Sequence, residues 1–219
     1  MSKKVGVLLA GCGVFDGSEI HEAVLTLLFL DKAGVQALCM APNMDQFHVI
    51  DHLTQQESAE KRNVLVESAR IARGNIQDVA TVKVSDLDAL ILPGGFGAVK
   101  NLSDFALKGP DAVVQPDVLR LIHGMAAAKK PIGAICIAPA TLTKAIADKQ
   151  PEVTIGNDPG TAAGIERMGG KHYTCTAAQV HVDAANRIVS TPAYMLGPGI
   201  KDIAIGIEKL VQEIVGMIR

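Results

Sequence analysis

The sequence predicts an α/β fold in which helices cover both faces of a doubly wound, mostly parallel sheet. Of the 219 residues 48% are apolar but only 3% are aromatic, and none is Trp. A core that must be built from Val, Ile, Leu and Ala is typical of buried parallel strands. Short apolar runs also alternate with amphipathic stretches, as strand–helix units with right-handed crossovers require. The chain shows no repeat and no linker, so we predict a single domain over residues 1–219.

The first strand and helix have clear local signals. Val5–Leu9 is a short apolar run and predicts the first strand. A helix is predicted over about Glu19–Ala33. Asp16 and Glu19 have the spacing of a capping box at its start, and Ser18 is a competing cap.

The remaining elements are predicted by apolar periodicity and by turn residues. In chain order they are a strand at Val35–Met40, a helix at about Lys61–Ala72, a strand at Ala89–Leu92, a helix near Pro116–Ala128, a strand at Ile132–Ile135, a helix from Ile137 to about Ala147, a hairpin of Gln179–Asp183 with Arg187–Ser190, and a last helix at about Ile200–Ile218. Residues 43–60 are polar and predict irregular structure.

Charge and cysteine patterns exclude several classes of protein. The net charge is −2 and no stretch is strongly basic, so we expect no nucleic-acid partner. The four cysteines are widely spaced without a C-x-x-C motif, which argues against a zinc ribbon or a disulfide scaffold. The apolar runs are too short for a signal sequence or a membrane span, so we expect a cytoplasmic protein without a membrane partner.

Three strand ends have unusual composition. The first is the loop Gly11–Gly17, which leads to Glu22; the second is Pro93–Gly97; the third is the turn at Cys136. Parallel strands place all three at one edge of the sheet, where ligands bind in such folds. The first loop has Asp16 where the dinucleotide motif G-x-G-x-x-G requires glycine, so we predict no nucleotide and no other cofactor.

Cys136 is the candidate nucleophile. It lies where a predicted strand meets a predicted helix, with the small residues Ala134 and Ala138 two positions to either side. A nucleophile elbow is a sharp turn of this kind and needs small residues at these places. The helix N-terminus behind the thiol favours the thiolate. The alternative is a buried core cysteine.

Three further residues are candidates for the same site. The N–H groups of Gly95 and Ile137 can form an oxyanion hole, although a plain turn would also explain the glycine. Glu22 can accept or shuttle a proton if burial raises its pKa, although it could equally be a solvated helix residue. We expect Glu19 to be a helix cap and His21 to be exposed.

These residues resemble a known family. Leu92–Gly95, Asn101–Leu102 and Ala134–Pro139 resemble the ThiJ/PfpI superfamily of class I glutamine amidotransferase-like proteins. Gly11–Glu22, together with Thr191–Met195, is similar to its ElbB subfamily, also called enhancing lycopene biosynthesis or sigma cross-reacting proteins. The resemblance extends over essentially the whole chain.

The resemblance implies a flavodoxin-like fold with the nucleophile at Cys136, its glutamate partner at Glu22 and an oxyanion donor at Gly95. It further implies cofactor-independent glyoxalase activity on the small dicarbonyl glyoxal, which is connected with deglycase activity, a link to isoprenoid biosynthesis and a homodimer. One departure is that no histidine follows Cys136 until His172, so a Cys–His protease or glutaminase is not predicted.

Three hypotheses therefore stand. The first is a glyoxalase that uses the Cys136 thiolate. The second is a redox-responsive or partner-binding protein in which an accessible, low-pKa Cys136 is oxidised. The third is an amidotransferase-type partner that has kept the fold and lost the chemistry.

Overall fold

The computed structural model describes residues 3–218, which form a seven-stranded sheet, a separate two-stranded sheet and flanking helices. The strands are β1 Lys4–Leu8, β2 Gln36–Ala41, β3 Ile76–Asp78, β4 Ala89–Leu92, β5 Ile132–Ile135, β6 Glu152–Gly156, β7 Lys171–Thr174, β8 His181–Asp183 and β9 Ile188–Thr191. The α-helices are α1 Ile20–Lys32, α2 Val64–Ile71, α3 Gly97–Lys100, α4 Phe105–Lys108, α5 Pro116–Ala127, α6 Ala138–Ala145, α7 Pro159–Arg167 and α8 Ile200–Met217.

The main sheet has the strand order β3-β2-β1-β4-β5-β9-β8. Every neighbouring pair is parallel except β8 and β9, which form the predicted antiparallel hairpin. The order runs outward from β1 in both directions, as expected for a doubly wound sheet. The predicted flavodoxin-like α/β fold is therefore confirmed.

Two apolar cores lie on opposite faces of the main sheet. Leu8 of β1 contributes to the core beneath α5 and α6, whereas Val7 contributes to the core beneath α1 and α8. Successive side chains of a strand point to opposite faces, so a strand covered on both sides must be apolar throughout. This explains why β1, β4 and β5 appear in the sequence as short continuous apolar runs.

Six of the strands and α-helices were not predicted, namely β3, α3, α4, β6, β7 and α7. The strand β7 is mostly exposed and pairs only with β6, so it lacks an apolar pattern. The helix α7 contains Gly160 and Gly164, which weaken its helical signal. Asp158 at its N-cap followed by Pro159 was nevertheless a recognisable helix start.

The capping box predicted for α1 is wrong. The N-cap is Glu19, whose side chain accepts a hydrogen bond from the N–H of Glu22 at 2.7 Å. Asp16 is buried and accepts from the N–H of Ile50 at 2.8 Å, because the 43–60 segment folds back over the first loop. Ser18 accepts from the N–H of Ala10. Both side chains therefore stabilise the loop rather than the helix.

The domain limits at residues 1–219 remain a prediction, and residues 1, 2 and 219 lie outside the described part of the chain. No helix among residues 3–218 is both long and apolar enough to cross a membrane.

Asn101 joins three segments near the carboxyl ends of the strands. Its buried amide nitrogen donates to the carbonyls of Ala10 and Asp16 at 2.8 and 2.9 Å. Its amide oxygen accepts from the N–H of Phe47 at 2.9 Å. Removing a buried side chain that satisfies three backbone groups lowers the free energy of unfolding strongly, because each group loses its hydrogen-bond partner away from water.

We expect Asn101→Ala to lower the free energy of unfolding by about 2–4 kcal/mol, because three hydrogen bonds are lost and a small cavity forms. Urea denaturation measures the change. The same substitution at the exposed Asn157 is the control and should change stability by no more than about 0.5 kcal/mol. Equal effects at the two positions would show that the Asn101 contacts do not stabilise the fold.

Candidate active site

Cys136 occupies a sharp turn between β5 and α6. Its backbone has a φ of +60°, the left-handed region, and its N–H donates to the carbonyl of Thr191 at 2.9 Å. Ala134 and Ala138, two positions to either side, are fully buried, so the turn has no room for larger side chains. Strain of this kind costs about 1–3 kcal/mol and is typically found at functional sites. The Cys136 turn thus has the geometry of a nucleophile elbow.

Glu22 is the third residue of α1, and its side chain reaches the Cys136 turn. Its carboxylate is fully buried and accepts from the N–H of Gly94 at 2.9 Å and from the N–H of Tyr194 at 3.3 Å. The thiol of Cys136 donates a further hydrogen bond to it. Glu22 is therefore not a solvated helix residue, and the Cys136 side chain is one of its hydrogen-bond partners.

The two glycines after β4 allow this contact. A Cβ atom at Gly94 would lie 2.5 Å from the Cβ of Cys136 and 2.7 Å from a carboxylate oxygen of Glu22. Gly95 has a φ of +91°, which turns its N–H towards the sulfur of Cys136, where the N–H of Ile137 also donates. Gly95, Ile137 and Glu22 thus surround one sulfur atom.

The pKa of Cys136 beside Glu22 differs from the sequence-based expectation. Burial raises the pKa of Glu22 to about 8, and the nearby Glu19 adds to the rise. Burial also raises the pKa of the Cys136 thiol well above its ordinary value, and the charge of Glu22 adds to that rise, although the N–H groups of Gly95 and Ile137 oppose it. The desolvation of the buried sulfur outweighs the effect of the helix N-terminus on the pKa of the thiol. The free protein therefore holds a thiol, where a thiolate was expected.

An open cavity of about 380 Å³ lies above the pair. Its lining residues are Val14, Glu19, Gly95, Phe96, Cys136, Ile137, Asp158, Thr161, Tyr194 and Met195. None of these ten is a histidine. His172 lies on β7 with a ring nitrogen 3.4 Å from the N–H of Ile155, and His21 is exposed as expected, with its ring nitrogen 2.8 Å from the hydroxyl of Tyr194. Glu22 is thus the proton partner that the site offers to Cys136.

Several residues of the site were not predicted. Tyr194 follows β9, which is the neighbour of β5, so its position at the same sheet edge could have been found once the order of the strands was known. Asp158 and Thr161 reach the cavity from the start of α7, an element that was missed. Glu19 was expected only as a cap, but it also faces the cavity.

Metal chemistry would need a cluster of suitable side chains. Among the described residues, no three or more His, Cys, Asp or Glu side chains are grouped so that they could hold a metal ion.

Comparison with known proteins places the chain in a family. A scan against models of protein families gave no match. The chain is 44% identical over 222 residues to the mitochondrial ES1 protein homolog of Rattus norvegicus, with 96% of this chain and 82% of the rat protein aligned. It is 43% identical to the human mitochondrial glutamine amidotransferase-like class 1 domain-containing protein 3, with the same coverage.

The chain belongs to the ES1 family of glutamine amidotransferase-like class 1 proteins. Both of these relatives are named mitochondrial proteins, so the cytoplasmic location expected for this chain stays a prediction.

Solved structures agree with this assignment. The crystal structure of an isoprenoid biosynthesis protein with an amidotransferase-like domain from Ehrlichia chaffeensis superposes with a TM-score of 0.94 at 39% identity, and all of both chains is covered. A DJ-1 superfamily protein from Salmonella typhimurium superposes with a TM-score of 0.60 at 20% identity, covering 98% of this chain and 91% of that one. The second likeness shows the fold alone.

Proposed function

We propose that this ES1-family chain is a cofactor-independent glyoxalase of the ElbB type, which converts glyoxal to glycolate. The observation that carries the proposal is the buried contact between the Glu22 carboxyl group and the Cys136 sulfur, with the N–H groups of Gly95 and Ile137 directed at the same atom. A carboxyl group with a pKa of about 8 is suited to take and return protons at neutral pH. Carbonyl addition, unlike amide cleavage, does not need a histidine to protonate a leaving amine.

In the proposed reaction, Glu22 takes the thiol proton as the Cys136 sulfur forms a bond to one aldehyde carbon of glyoxal. The alkoxide that forms accepts hydrogen bonds from Gly95 and Ile137 and takes the proton back from Glu22, which gives a hemithioacetal and leaves Glu22 as a carboxylate. Glu22 then removes the C–H proton of this carbon and returns it to the neighbouring carbon. The hydroxyl proton of the first carbon moves to the oxygen of the second in the enediol, and the product is a thioester of glycolate. One water molecule hydrolyses the thioester, releases glycolate and regenerates the thiol.

Glycolate formation from glyoxal, without added metal or thiol cofactor, tests the proposal. We expect Cys136→Ala to abolish it and Glu22→Gln to slow it by about 10²-fold or more, because general base catalysis is lost. The wild-type rate should rise as the pH approaches about 8, where Glu22 loses its proton, and this rise should be absent in Glu22→Gln.

A matched control separates Cys136 from the other cysteines. Cys175 is a half-buried cysteine after β7, and Cys175→Ser should leave glycolate formation unchanged. Undiminished activity in Cys136→Ala would reject the proposal.

The redox-responsive hypothesis requires an accessible thiol of low pKa. Cys136 is 8% exposed and burial raises its pKa, so we favour catalysis over oxidation. The isoprenoid link, the small dicarbonyl substrate and the homodimer belong to the same proposal; the protein from Ehrlichia chaffeensis is named for isoprenoid biosynthesis.

A further inference from the structure

A second cavity adjoins the cavity at Cys136, and the ring of Phe96 lines both. The second cavity has a volume of about 200 Å³, and its other lining residues are Phe15, Ile50, Gln55 and Lys100. Phe96 is 47% exposed, so its ring is an apolar surface that a ligand can cover. A ligand longer than glyoxal can therefore lie across this ring with one end at Cys136.

Lys100 is the cation of the second cavity. Its ammonium group lies 5.1 Å from the centre of the Phe96 ring and donates to the carbonyl of Phe15 at 3.3 Å. Over residues 3–218 it forms no ion pair with a carboxylate, in contrast to Lys108, which pairs with Asp104 at 2.6 Å. An ammonium group has three donors and a full charge, so Lys100 keeps both charge and donors for an anion.

The cavity at Cys136 has the opposite character. Its lining contains the carboxyl groups of Glu19 and Asp158 and no Lys or Arg side chain. The N–H and hydroxyl groups of Thr161 lower the pKa of Asp158, so that this carboxyl group is charged at neutral pH. An anionic group is therefore repelled at the Cys136 end and attracted at the Lys100 end, which determines the orientation of a charged ligand.

We infer that the two cavities together bind an aldehyde that carries an anionic group, either carboxylate or phosphate, on an apolar body. The carbonyl lies at Cys136, the apolar body covers Phe96 and the anion pairs with Lys100. The position of the carbonyl at Cys136 rests on the proposed function, whereas the pairing of the anion with Lys100 does not.

Unreactive ketones test the binding separately from catalysis. Acetophenone, 4-acetylbenzoate and 4-acetylphenyl phosphate are titrated into Cys136→Ala protein by calorimetry. We expect at least one anion to bind about fivefold more tightly than acetophenone at low salt, as a single exposed ion pair allows, and high salt should reduce the preference. The tighter of the two anions identifies the group that the site takes.

Lys100→Met in the same background keeps most of the length of the side chain and removes its charge. We expect Lys100→Met to bring the ratio of the dissociation constants of acetophenone and the tighter anionic ketone close to one. Lys108→Met should leave this ratio unchanged. Equal binding of all three ketones by the parent protein, or a preference that persists in Lys100→Met, would overturn the inference. Failure of glycolate formation by wild-type protein would instead reject the proposed function and leave this result standing.

Discussion

Glu22→Gln is expected to become more stable relative to the wild type as the pH rises from about 5 to about 8. The pKa of Glu22 is about 8 in the folded protein, because the side chain is buried, against an ordinary value of 4.5. Over this range the unfolded chain releases the proton and the folded protein keeps it. The stability that this group provides is therefore complete below pH 4.5 and is lost as the pH rises to about 8.

The expected change of the unfolding free energy with pH is large. Each pH unit in this window lowers the unfolding free energy of the wild type by about 1.4 kcal/mol through this one group, or on the order of 4 kcal/mol in total. Gln cannot lose a proton, so the variant lacks this slope. Urea denaturation at pH 5, 6, 7 and 8 measures it.

Glu208→Gln is the control, because this glutamate is 43% exposed and lies 3.9 Å from Lys32. Its stability difference from the wild type should hardly change with pH. If the difference between Glu22→Gln and the wild type were also constant, Glu22 would have to be charged in the folded protein. The proton-transfer role proposed for it would then lose its basis.

Gly95→Ala is expected to destabilise the protein strongly. The added Cβ atom would lie 2.4 Å from both the amide nitrogen of Glu19 and the carbonyl oxygen of Gly17. Both atoms belong to the backbone, so neither can move aside as the end of a flexible side chain could. Backbone strain at a φ of +91° adds to the overlap. The two effects together predict a loss of about 3–5 kcal/mol.

Gly34→Ala separates these two effects. Gly34 also has a positive φ, +68°, but no atom lies within 4 Å of the position of its Cβ. It should lose only about 1 kcal/mol, the cost of the conformation alone. The folded fraction of Gly95→Ala should also form glycolate more slowly, because the N–H of residue 95 moves away from the sulfur. Similar losses of stability at the two glycines would show that the packing around Gly95 is loose.

The positions of Cys136, Glu22 and Gly95 could be predicted because they depend on chain order and strand direction. The apolar runs predict parallel strands, and the loops that follow parallel strands lie at the same edge of the sheet, whatever the details of packing. The same reasoning placed the loop of residues 11–17 there. It missed Asp158 and Thr161, because the glycine-containing α7 and the exposed β7 lack the apolar periodicity that marks an element.

The protonation of the pair could not be predicted in the same way. A helix N-terminus behind Cys136 is visible in the sequence, and it favours the thiolate. Desolvation by the surrounding core acts in the opposite direction and is stronger here, and the charge of Glu22, which is far from Cys136 in the chain, adds to it. Local sequence therefore decided which groups meet at the sheet edge. Their pKa values depend on how much water the assembled fold excludes, a property of the packed protein as a whole.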